Sequence, residues 1–91
     1  MRTENSKLLF DRAMEVLVEG CSSASRGPMN YNPYPAYIRD GKGARLWDVD
    51  GNEYIDYLIG SGPMLLGHGH PEVMEAVLEQ LPNGMTFFAN N

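Results

Sequence analysis

Residues 47–57 read WDVDGNEYIDY, and the structure predicted for the chain is built around them. Asp50-Gly51 lies at its centre, and an Asp-Gly pair readily supplies the positive φ angles that a tight reversal needs. Residues that favour β-structure flank the pair, from Ala44 to Val49 before it and from Glu53 to Leu58 after it. The stretch therefore predicts a β-hairpin.

Before the hairpin, a third strand is predicted. Ala36 to Ile38 is a short β-like run, and the residues from Asp40 to Gly43 (Asp-Gly-Lys-Gly) are typical of a turn. Together with the hairpin, this run completes a three-stranded antiparallel meander over residues 36–59.

A helix is predicted on each side of the meander. Apolar residues between Lys7 and Val18 recur at helical spacing, with Asn5 or Ser6 available as N-cap and Gly20 just beyond the end. Pro71 is suited to open a second helix and Pro82 to stop it.

The sequence thus predicts an α+β segment made of an N-terminal helix, a small antiparallel β-meander and a second helix. We expect five parts: a helix in 1–20, a loop in 21–35, the meander in 36–59, a Gly/Pro/His-rich connector in 60–70, and a helix with its tail in 71–91. So short a chain leaves little apolar material for closing a core. We therefore expect apolar faces that need a partner, among them the one around Phe87 and Phe88.

Composition excludes several classes of function. The chain has 91 residues and a net charge of −5, and its basic residues are scattered, which argues against nucleic acid as a partner. No run of about 18 apolar residues occurs, so no membrane partner is expected. The single cysteine, Cys21, cannot form an internal disulfide, which favours a reducing, cytoplasmic location.

Two metal motifs are incomplete. Asp48, Asp50 and Asn52 match the first ligand positions of a calcium loop, but Glu53 stands where that loop needs glycine, so a hairpin turn is the better interpretation. His68 and His70 could present two imidazoles, but zinc needs a third protein ligand, and the alternative is that His70 caps the second helix.

The loop after the first helix carries polar chemistry of its own. Ser22, Ser23 and Ser25 lie beside Arg26, and hydroxyls with a guanidinium suit the binding of a carboxylate. A solvated loop is the alternative interpretation of the same residues.

The order of the motifs resembles one family. Residues 9–13 (LFDRA), 47–57 (WDVDGNEYIDY) and 62–71 (GPMLLGHGHP) occur in the order found in class III aminotransferases, which are pyridoxal-phosphate enzymes of fold type I. The glutamate-1-semialdehyde aminotransferase group is the nearest likeness, and the resemblance extends from about Ser6 to Phe88. It implies that the segment belongs to a larger α/β enzyme.

The resemblance implies amino-group transfer between an amino acid and an oxo compound in a homodimer, with pyridoxal 5'-phosphate held by a lysine of a large domain. Lys7 and Lys42 match no cofactor-binding position. We therefore expect that domain to lie outside this chain, and the 91 residues to bind no cofactor and to be inactive alone.

Three positions are implied in substrate recognition. Ser23 and Arg26 match a Ser-x-x-Arg element that holds the substrate carboxylate in the semialdehyde enzymes, although the flanking Val18-Glu19-Gly20 and Gly27 depart from the usual pattern. Those enzymes carry a tryptophan where this chain has Ser61. A small residue opens space for a larger or differently shaped amino acid, so we expect an amino donor or acceptor other than glutamate-1-semialdehyde.

Two other interpretations remain open. A truncated paralogue could serve as a non-catalytic subunit or interaction module, docking through its apolar helices and the end at Phe87-Phe88. An independent small binding domain would need the 91 residues to fold alone, which is marginal for so short a chain.

Overall fold

The computed structural model describes residues 1–27 and 35–88. It contains two α-helices and one sheet of three antiparallel strands in the order β1-β2-β3. The elements are α1 (Glu4–Val16), β1 (Ile38–Lys42), β2 (Arg45–Asp48), β3 (Glu53–Ile55) and α2 (Pro71–Gln80), with short 3₁₀ turns at Val18–Gly20, Ala24–Arg26, Ile59–Ser61 and Leu81–Asn83. The predicted fold class is confirmed. Parts of the predicted 21–35 loop and of the 71–91 tail lie outside the described residues.

The start of α1 differs from the prediction. Thr3 is the N-cap residue, and Asn5 and Ser6 lie inside the first turn instead of capping it. Their backbone amides donate to the two carboxylate oxygens of Asp50, at 2.6 Å to Oδ1 and 2.8 Å to Oδ2. A carboxylate at a helix N-terminus satisfies free amides and complements the helix dipole. The hairpin therefore caps the helix.

The hairpin turn is confirmed at Asp50-Gly51, where Gly51 has a φ of 84°. Strands β2 and β3 pair antiparallel from Arg45 opposite Ile55 to Trp47 opposite Glu53.

The other predicted turn was misplaced. Asp40, Gly41 and Lys42 belong to β1, and the chain reverses only at Gly43 and the residue after it. Gly41 serves close packing instead, because a Cβ there would lie 2.9 Å from Cγ of His68.

Helix α2 begins at Pro71 as predicted, with proline in its first turn, and its last residue, Gln80, lies two before Pro82. His70 occupies the N-cap position, but its side chain makes no capping hydrogen bond. None of the described helices is long and apolar enough to cross a membrane.

The most deeply buried side chains of the described residues are polar, whereas in most globular proteins they are apolar. The described residues form no buried core of aliphatic or aromatic side chains, whereas Ser6, Asp48 and Asp50 are only 2%, 1% and 6% exposed. Apolar side chains of α2 stay open, with Val73 46% and Leu78 61% exposed. A polar network thus joins α1 to the hairpin, and the apolar faces remain uncovered by the described residues.

Candidate functional site

A cleft of about 930 Å³ lies where the end of α1, the turn at Ala24–Arg26 and the meander meet. Ala13 lines it from α1, Gly20 from the turn that follows, and Leu46 from the sheet. Its charged and polar lining includes Arg26, Tyr37, Asp56, Ser61 and His68. The cleft is therefore an apolar depression with a few polar groups, as small-molecule sites usually are.

The structure brings Ser23 and Arg26 together. Ser23 is the N-cap residue of the Ala24–Arg26 turn, and Nη1 of Arg26 donates to its Oγ at 3.1 Å. The Oγ atoms of Ser23 and Ser25 lie 3.4 Å apart. Arg26 is exposed and lines the cleft, whereas Ser23 stands behind it and fixes the guanidinium. A guanidinium held in this way can still offer its other N–H groups to a carboxylate.

Ser61 lines the same cleft from the opposite connector. It lies in the Ile59–Ser61 turn with a φ of 70°, next to Gly60 at 65° and Gly62 at 109°. Ile59 also has a positive φ, at 48°. A β-branched residue seldom adopts this conformation, so the surroundings must hold the turn in place.

Sequence reasoning missed a pair of side chains in the cleft. Nε2 of His68 lies 2.6 Å from Oδ2 of Asp56, whose Oδ1 accepts hydrogen bonds from the amides of Leu58 and Ile59, both at 2.9 Å. The hydrogen bond from His68, aided by these amides, lowers the pKa of Asp56 below its ordinary value. Both residues stand in the motifs quoted above, but no spacing rule pairs them.

The histidines do not act together. His68 bonds to Asp56, while Nδ1 of His70 is buried without a hydrogen-bond partner. Within residues 1–27 and 35–88, no group of three His, Cys, Asp or Glu side chains could hold a metal ion.

The hairpin-turn interpretation of Asp48, Asp50 and Asn52 is confirmed. Oδ1 of Asp48 accepts from the amides of Asp50 and Asn52 at 3.0 and 2.8 Å, and Oδ2 accepts from Asn52 Nδ2 at 2.8 Å and the Tyr54 hydroxyl at 2.7 Å. Burial alone would raise the pKa of Asp48, but the hydrogen bonds from Tyr54 and Asn52 outweigh it and lower the pKa. Burial and the hydrogen bond to Asp48 raise the pKa of Tyr54 to about 12.

The two lysines of the chain lie on α1 and β1. Lys7 forms an ion pair with Asp11 on α1, and Lys42 is exposed in β1. Neither side chain lines the cleft. The chemistry that the described cleft itself offers is recognition of an anionic, partly apolar small molecule.

The sequence of this chain is similar to that of known enzymes. The family model described as "Aminotransferase class-III" matches residues 27–90. A glutamate-1-semialdehyde 2,1-aminomutase from Acetivibrio thermocellus is 48% identical over 89 residues, which is 98% of this chain and 21% of that protein.

Solved structures agree with the family match. A transaminase with PLP bound superimposes with a TM-score of 0.85 at 42% identity, over 100% of this chain and 21% of that chain. A β-phenylalanine aminotransferase from Variovorax paradoxus gives a TM-score of 0.78 at 30% identity, over 96% of this chain and 20% of that chain. The chain spans about a fifth of the length of these relatives.

Proposed function

The chain belongs to the class III aminotransferase family, and we propose that it is the N-terminal, substrate-recognising segment of a transaminase or aminomutase that uses pyridoxal 5'-phosphate. The complete enzyme transfers an amino group between an amino acid and an oxo compound, and works as a homodimer. The large cofactor-binding domain lies outside this chain, which is inactive alone. The observation that carries the proposal is the cleft shared by Arg26 and Ser61.

Arg26 and Ser61 have different roles in the cleft. Arg26, oriented by its hydrogen bond to Ser23, binds the substrate carboxylate. Ser61 bounds the space left for the rest of the substrate. When bound, the cofactor supplies the electron sink for amino transfer, and its lysine comes from the large domain.

A fusion enzyme tests this proposal. Residues 1–91 replace the matched segment of the Acetivibrio thermocellus relative, which provides the other four fifths of the polypeptide. Native mass spectrometry is expected to find a dimer with cofactor bound, and amino transfer is expected with donors that carry a carboxylate. The unmodified relative is the control.

Two results would count against the proposal. A cofactor-loaded fusion enzyme that is inactive with every carboxylate-bearing donor would contradict substrate recognition by this segment. A fusion that neither loads cofactor nor dimerises, beside an active control, would favour the non-catalytic interaction module instead.

The size of the side chain at position 61 is expected to limit the size of the amino donor. Ser61→Trp in the fusion enzyme is expected to lower kcat/KM for bulky donors about tenfold or more relative to a small donor such as alanine, because an indole fills the space that serine leaves open. Ser61→Ala keeps that space and is the matched control. Steady-state kinetics over a series of donors measures the ratio, and an unchanged donor preference would refute the role of Ser61.

A further inference from the structure

The loop that carries Ser61 is anchored at both ends on one turn of the sheet. At its start, the amide of Asp56 donates to the carbonyl of Ala44 at 2.8 Å. At its end, His68 and Gly43 exchange two backbone hydrogen bonds, each of 2.9 Å. Gly43 and Ala44 are neighbours in the turn between β1 and β2. Both ends of the loop from residue 56 to residue 68 are therefore hydrogen-bonded to that turn.

One carboxylate joins the two ends. Oδ1 of Asp56 binds the amides of Leu58 and Ile59 at the start of the loop, and Oδ2 binds Nε2 of His68 at its end. The two side chains are 8% and 21% exposed, so water competes only weakly for the contact between them. We call this pair the loop clamp.

The backbone between the two ends needs such support. Ile59 and Ser61 both have positive φ angles, a conformation that non-glycine residues adopt at a cost. The amide of Ile59 is one of the two that Asp56 binds, and its carbonyl accepts from Gly62 at 3.1 Å. The clamp therefore acts directly on the turn that presents Ser61.

The sheet fixes the imidazole. A Cβ at Gly41 would lie 2.9 Å from Cγ of His68, so only glycine leaves room for the ring against β1. Since His68 is held by its backbone and by this packing, it can act as the fixed end against which the loop is positioned.

We propose that Asp56 and His68 are positioning residues that hold Ser61 in the wall of the cleft and so set which amino donors are accepted. The claim that these residues set which amino donors are accepted rests on the function proposed above. Asp56, Ser61, His68 and Arg26 all line the one cleft, so a shift of the loop changes the space next to the bound carboxylate.

Amide hydrogen exchange of the full chain tests the clamp without any activity. His68→Ala is expected to speed exchange at Leu58, Ile59 and Gly62 at least about tenfold, while the amides of Asn5 and Ser6, bound by Asp50, keep their rates. His68→Gln keeps an N–H donor near the position of Nε2 and is expected to restore slow exchange. If His68→Ala does not fold, Asp56→Asn, whose side chain has the same shape, replaces it as the test variant, and it is expected to speed exchange at the same amides. Unchanged exchange in the loop would overturn the proposal.

The fusion enzyme tests the donor range. His68→Ala is expected to change the ratio of kcat/KM between bulky and small donors at least about fivefold, with His68→Gln close to the unmodified ratio. Equal losses for all donors would overturn the positioning of Ser61, because a merely structural role predicts that pattern. A cofactor-loaded parent enzyme inactive with every donor contradicts the proposed function and the donor range, whereas the exchange rates decide separately whether the clamp exists.

Discussion

Replacing Asp48 with alanine is expected to lower the free energy of unfolding by about 2 to 4 kcal/mol. Asp48 is 1% exposed, and its two oxygens accept four hydrogen bonds from Asp50, Asn52 and Tyr54. Alanine leaves these donors without their acceptor beside the contact between the hairpin and α1. Urea denaturation followed by circular dichroism measures the change.

Two variants make this result specific. Asp48→Asn keeps one oxygen for the amides of Asp50 and Asn52, so its loss of stability is expected to be smaller. Asp40→Ala removes an exposed carboxylate that, among the described residues, pairs with the neighbouring Arg39, and it is expected to cost less than about 1 kcal/mol. If Asp48→Ala were no more harmful than Asp40→Ala, the buried network would not stabilise the fold.

The same network predicts a direction for pH dependence. The pKa of Asp48 is lower in the folded chain than in the unfolded one, so its contribution is present above the unfolded pKa of about 3.9 and is lost as pH falls through the folded pKa. Asp50 and Asp56 have lowered pKa values too, and act in the same sense. Stability should therefore fall below about pH 4, and less steeply in Asp48→Ala.

The sequence predicted those structural features that are determined by residues close together in the chain. Asp50-Gly51 predicted the hairpin because the turn itself demands a positive φ, and Gly51 has one. Pro71 predicted the start of α2 because proline fits the first turn of a helix whatever surrounds it. Ser23 and Arg26, three residues apart, were brought together by a single 3₁₀ turn.

The predictions were wrong or incomplete where the local structure depends on a residue distant in the sequence. Asn5 and Ser6 did not need to cap α1, because Asp50, some 45 residues away, binds their amides. Gly41 looked like a turn residue, but it makes room for His68. The Asp56–His68 pair spans 12 residues across a loop of unusual backbone, so no helical or strand period could reveal it.

The buried groups also explain why a chain of this composition has a defined shape. The described residues form no buried apolar core, and the most deeply buried side chains at the contact between α1 and the hairpin are polar. Directional hydrogen bonds to Asp48 and Asp50 therefore set how α1 meets the hairpin. The remaining apolar faces of α1 and α2 are then free for the larger enzyme that we propose.

Arg26→Ala in the fusion enzyme is expected to raise KM for carboxylate-bearing donors about tenfold to a hundredfold. This range corresponds to the loss of about 1.5 to 3 kcal/mol of binding through hydrogen bonds to a charged group. Arg26 lines the cleft with an exposed guanidinium, so its removal affects binding more than folding. Steady-state kinetics with the fusion enzyme measures KM and kcat separately.

Matched variants separate charge from geometry at this position. Arg26→Lys keeps the charge but loses the planar fork and is expected to fall between the alanine variant and the unmodified enzyme. Ser23→Ala removes only the hydroxyl that accepts from Nη1, so its effect on KM should be smaller than that of Arg26→Ala. A donor amine without a carboxylate should respond to none of the three changes. An unaltered KM for carboxylate donors in Arg26→Ala would show that Arg26 does not bind the carboxylate, although its guanidinium lines the cleft.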